Sequence, residues 1–115
     1  MNEYFIHSTS FAAPFFSEED FSFAKGDTPE DTLLSFVKDY SHPSGLYAAV
    51  LYETADDYHK GRKPLMKWLC NHEIEKRKLT DKLGSYSYFG NNAGDFEIDG
   101  VRHKIKNPKE GRIVT

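Results

Sequence analysis

Four groups of side chains in this chain stand at spacings that could do chemistry. Asp95, Glu97 and Asp99 place carboxylates at alternate positions. On a strand such residues share a face about 7 Å apart, which suits a hard cation or a mimic of nucleic-acid phosphates. Cys70 and His72 bring a thiol near an imidazole, the parts of an activated nucleophile. Tyr86, Tyr88, Asn91 and Asn92 offer flat rings and amides that could stack on a base and hydrogen-bond its edge. The fourth group is acidic: Glu18, Glu19 and Asp20, then Asp27 and Asp31, then Asp56 and Asp57, with Lys25 the one base between Glu18 and Asp31. Carboxylates of this kind steer a basic partner and fix its register.

The elements that must position these residues sort them. Asp99-Gly100 suits a two-residue type I′ turn, so residues 95–106 are expected to form a hairpin. Its register sets Ile98 opposite Val101, Glu97 opposite Arg102, Phe96 opposite His103 and Asp95 opposite Lys104. The row of carboxylates is thereby matched across the strands and reads as structural. Residues 64–79 read as a helix opened by Pro64, with Leu65, Trp68, Leu69, His72 and Leu79 on one stripe. Helical residues two apart do not face each other, so Cys70 reads as a small buried hydrophobe and His72 as a core histidine. Histidines 42, 59, 72 and 103 are scattered without paired ligand spacing, and no metal site is expected.

The remaining elements follow from pattern. Residues 3–9 read as a strand, and Pro14 breaks the apolar stretch after it. Phe21 and Phe23 alternate with Ser22 on a second, half-buried strand that ends at Gly26. Thr28 is placed to cap a helix over 29–40, with Pro29 at its first position and Leu33, Phe36, Val37 and Tyr40 on its apolar stripe. Residues 46–52 are apolar on both faces, which predicts a central strand. Thr54 caps a short helix with Asp57 at its third position. Residues 111–115 suit a last short strand. The expected fold is a single small α+β domain over 1–115: a mixed or antiparallel sheet packed by two main helices, with a C-terminal β-hairpin.

Composition narrows the function. The net charge is −3, but residues 1–58 hold eleven acids against Lys25 and Lys38, a balance of −9. Residues 59–115 hold thirteen bases against seven acids, a balance of +6. Such asymmetry points to a polar interaction surface. Direct nucleic-acid binding is not expected, because an acidic domain lacks the dominant electrostatic attraction. A single cysteine, no signal segment and no long apolar run read as a cytoplasmic protein outside the membrane.

His7 in "YFIHSTS", with Tyr47 and Tyr58 in "GLYAAVLYETADDYHKG", resembles the His…Tyr…Tyr pattern of poly-ADP-ribose-polymerase-type ADP-ribosyltransferases. The resemblance implies an NAD-binding enzyme. His7 would hold the nicotinamide ribose, Tyr47 and Tyr58 would stack the ring, and Glu97 would be the glutamate of a later strand. Ser8 follows His7 where the family usually has glycine.

The reading that best fits the whole chain is a non-enzymatic binding protein without a cofactor. It docks on a protein partner through its acidic, aromatic N-terminal half, using Glu18, Glu19, Asp20, Asp27, Asp31, Asp56 and Asp57. A concrete form is an inhibitor of a basic nucleic-acid-handling or defence machine, of the kind phages and mobile elements encode. The alternatives are the transferase, and a nucleotide-binding module built on Tyr86, Tyr88, Asn91 and Asn92.

Overall fold

The computed structural model describes residues 1–11, 17–41, 45–83, 87–88, 95–98 and 100–114. The chain is α+β. Its main sheet is antiparallel and five-stranded: β1 (Asn2–Phe11), β2 (Ser17–Gly26), β3 (Leu46–Tyr52), β4 (Met66–Cys70) and β8 (Gly111–Val114), in the order β2-β1-β3-β4-β8. A second sheet joins β5 (Ser87–Tyr88), β6 (Asp95–Ile98) and β7 (Val101–Lys104). Three helices are present among the described residues: α1 (Pro29–Asp39), α2 (Ala55–His59) and α3 (Asn71–Leu83). The radius of gyration, 14.9 Å, exceeds the ~13 Å of a compact chain of this length, as expected of a chain that divides its strands between two sheets.

One face of the main sheet forms the principal core. Cross-strand pairing puts Ile6 opposite Leu51, Ala49 opposite Trp68, and Trp68 opposite Ile113. Leu33 of α1 is fully buried against this row, and Phe36, Val37 and Tyr40 pack around it. Burying each large aliphatic here is worth about 1.5–3 kcal/mol. The helix is held at both ends. Thr28 Oγ1 accepts from the Asp31 N–H at 3.1 Å, Pro29 opens the first turn, and Tyr40 N–H donates to the Val37 carbonyl at 3.3 Å.

The helix expected over 64–79 begins instead at Asn71, and Met66–Cys70 is a strand. A short apolar run fits either period, and tertiary pairing decides it. β1 occupies one side of β3, and the other side needs backbone partners. Residues 66–69 supply them from Leu51↔Met66 to Ala48↔Leu69, extended by Leu65 N–H to the Leu51 carbonyl at 2.9 Å. Consecutive Trp68, Leu69 and Cys70 are all buried, as on a strand covered on both sides. Leu65, placed by sequence on the apolar stripe, is 47% exposed.

Cys70 and His72 are buried as expected, but on different elements. The strand passes directly into α3, and Cys70 Sγ accepts from the Glu73 N–H at 3.4 Å, where a capping side chain normally stands. Asn71 N–H donates to the Glu110 carbonyl at 2.6 Å and His72 N–H to that of Pro108 at 3.1 Å. Amides that lack partners at a helix start are thus met by the segment leading into β8. Glu73 and Arg77 pair one turn apart on α3, at 2.7 Å.

A second difference concerns β3. The register slips between Thr9 and Ser10, so Leu46 joins Ala49 and Leu51 in the principal core rather than alternating away from them. The C-terminal hairpin has the expected register at all four pairs, from Asp95↔Lys104 to Ile98↔Val101. Gly100 has φ +83°, as the turn requires. Asp99 lies outside the described residues.

Candidate functional site

The opposite face of the main sheet carries a cluster of aromatic rings drawn from four elements. β1 supplies Phe5 and His7, β2 supplies Phe21 and Phe23, β3 supplies Tyr52, and α2 supplies Tyr58 with His59 beside it. Antiparallel pairing makes this possible, because Phe5↔Phe23 and His7↔Phe21 are direct neighbours on one face. Phe5 is the buried floor. Above it stand Phe21 (5.9 Å, stacked), Phe23 (5.4 Å, edge-on) and Tyr58 (5.4 Å). His7 stacks on Phe21 at 5.0 Å and lies 5.2 Å from Tyr58. Offset and edge-on pairs of this kind add about 0.5–1.5 kcal/mol each beyond area burial.

Local chemistry fixes α2 over the cluster. Thr54 Oγ1 accepts from the Asp57 N–H at 3.1 Å. The helix ends in a Schellman motif: Gly61 N–H donates to the Tyr58 carbonyl at 3.1 Å and Arg62 N–H to that of Asp57 at 2.9 Å. Gly61, at φ +70°, permits the reversal. The same reversal brings Arg62 back to Asp57, with Nη1 to Oδ1 at 2.7 Å. That hydrogen bond, aided by Thr54, holds the Asp57 carboxyl below its ordinary pKa. Burial raises the Tyr52 phenol above its ordinary value, and neighbouring Tyr58 adds to the shift.

The helix is only five residues long and covers the cluster incompletely. Phe21 is 47% and Phe23 63% exposed. The alternation of Phe21 and Phe23 with Ser22 holds, with Ser22 and Ala24 turned toward α1 and the phenylalanines facing away from it. The detectable signal was the pairing of "YFIH" against "FSF" across one hairpin, but the turn length needed to set its register was not readable.

The acids expected to form a docking face fall in several places. Glu19 stands beside the cluster, its Oε1 3.2 Å from His7 Nε2. Asp56 and Asp57 lie on α2, paired with Lys60 (3.0 Å) and Arg62 (2.7 Å). Asp27 approaches the Met1 amino group at 4.0 Å, and Asp31 lies in the first turn of α1. Asp20 lines a groove of about 550 Å³ between β2 and α1. For Glu18 only the backbone position opposite Ser10 is described. The two halves of the chain therefore meet at α2, where Lys60 and Arg62 answer its aspartates. Solvent screening leaves pairs of this kind a small part in stability.

The other sequence candidates divide similarly. His7 and Tyr58 of the transferase-like pattern meet, but Tyr47 packs against the principal core, its ring 6.2 Å from His72. Glu97 belongs to the second sheet. Tyr86, Asn91 and Asn92 lie outside the described residues, and Tyr88 is described only as a backbone partner of Phe96. Among the described residues, no group of three His, Cys, Asp or Glu side chains could hold a metal ion, and no helix is long and apolar enough to cross a membrane. Comparison with protein families, curated proteins and solved structures gives no match.

Proposed function

We propose that the chain is a non-enzymatic binding protein whose aromatic face, formed by β1, β2 and α2, docks on a protein partner. The observation that carries this reading is the pair Phe21 and Phe23, held by the rings beneath them yet 47% and 63% exposed. Rigid, exposed rings over a packed floor are what interface hot spots are made of. Glu19 and Asp20, on the same strand, favour a partner with basic residues at its rim. A cytoplasmic inhibitor of a basic nucleic-acid-handling machine, of phage or mobile-element type, is the concrete form.

The test is capture of partners from the native host's lysate, identified by mass spectrometry and followed by affinity measurement with the purified partner. The double variant Phe21→Ser/Phe23→Ser should weaken binding about a hundredfold or more, with circular dichroism showing that the fold is kept. Undiminished affinity in that variant would remove the reading.

A further inference from the structure

The sheet has two edges of different character. β8 is four residues long, whereas β2 runs for ten. The inner side of β2 pairs with β1 along its whole length, from Asn2↔Gly26 to Phe11↔Ser17. Its outer side pairs with no strand among the described residues. An edge of this length is a ready template for another strand, and proteins usually blunt one with proline, a bulge or charge. β2 contains no proline, its pairing with β1 runs without a register shift, and what protects its edge is charge, three carboxylates against Lys25.

Three features say what such a strand would look like. First, the Phe21 N–H donates to the carboxylate of Asp20 at 2.9 Å, a local bond that an incoming carbonyl can replace, releasing the carboxylate. Second, the groove between β2 and α1 lies where the inward side chains of an added strand would enter. Asp20 and Asp39 line it against a single cation, Lys25, with Ser22, Ser35 and Phe36 between. Third, Phe21 and Phe23 stand on the opposite face, where the alternate side chains of that strand would pack beside them. Along Ser17–Gly26 three carboxylates stand against Lys25. A second copy placed on this edge would double the negative charge along the seam, whereas a cationic strand would neutralise it.

We infer that β2 accepts an extended, lysine- or arginine-bearing segment of a partner protein as a sixth strand. Its cationic side chains enter the groove at Asp20 and Asp39, and its apolar ones lie against Phe21 and Phe23. This rests on the docking reading above and specifies its mode as strand addition, in which main-chain hydrogen bonds supply affinity and alternate side chains supply specificity.

The probe is a synthetic peptide as long as β2 that alternates lysine with valine and phenylalanine, titrated by calorimetry and followed by amide exchange. It should bind one-to-one and slow exchange of the Phe21 N–H. Backbone N-methylation along one edge of the peptide should abolish binding, and methylation along the other edge should leave it intact. Asp20→Lys/Asp39→Lys should weaken it by roughly tenfold or more, with the fold checked by circular dichroism. The inference fails if the peptide does not bind, if methylation of neither edge weakens binding, if a glutamate-for-lysine peptide binds equally, or if the protein alone dimerises through β2. Any of these results, with native partner binding still dependent on Phe21 and Phe23, removes strand addition and leaves face docking standing. Partner binding indifferent to those two rings removes both.

Discussion

The two faces of the main sheet are built from the same strands and end differently. On one, the eleven-residue helix α1 lays Leu33, Phe36 and Val37 over Ile6, Leu51 and Trp68 and closes the core. On the other, the five-residue helix α2 covers Phe5 but leaves Phe21 and Phe23 in water. The first face mixes aliphatics such as Ile6, Leu33 and Leu51 with the rings of Tyr4, Phe36 and Trp68; the second is mostly rings, two of them imidazoles. A closed face contributes stability alone. A half-closed face of rings, rigid because each packs on the next, contributes less stability and retains apolar surface for something else.

That contrast predicts unequal responses to substitution. Leu51→Ala, on the closed face, should cost about 2–5 kcal/mol in urea denaturation. Phe23→Ser, on the open face, should cost about 0.5–1.5 kcal/mol, the worth of its ring pair with Phe5, and an equal loss at the two positions would erase the distinction. Gly111→Ala sharpens the picture from the edge of the closed face. A methyl there would collide with the Leu69 carbonyl and lie 2.6 Å from the Trp68 ring. We expect a loss of about 1–3 kcal/mol and release of β8, visible as faster amide exchange over 111–114. Gly61→Ala tests the open face through its lid. Nothing crowds a methyl there, so the cost is the positive φ alone, about 1–2 kcal/mol, and the Tyr58 ring should lose its fixed position by NMR.

The smallest effect is electrostatic. The folded state lowers the Asp57 pKa, so the contribution of its pair with Arg62 is complete above the unfolded carboxyl value and fades as pH falls through the folded one. The melting-temperature difference between wild type and Asp57→Asn should therefore be steady near neutral pH and shrink below about pH 4.

Features set by neighbours in sequence were the legible ones. Thr28 and Pro29 announced α1, and Asp99-Gly100 announced a hairpin whose four pairs all form. The short helix after Thr54 was equally local. Residues 66–70 were misread because helix and strand share a short apolar run, and the deciding partner, β3, is distant in the chain. The slip at Thr9/Ser10 left no local trace and moved Leu46 to the other face. The aromatic cluster was hidden for the same reason. Its rings come from elements as far apart as Phe5 and Tyr58, and only the fold brings them to 5.4 Å. A count of acids along the chain does not register that Asp56 and Asp57 find Lys60 and Arg62 four and five residues on.

Cys70, which forms no disulfide, sits where β4 becomes α3 with no intervening loop. As the chain's single thiol, it is an intrinsic clock for opening of that joint. A maleimide can react only when strand and helix part, so labelling kinetics would time that separation without any engineered reporter.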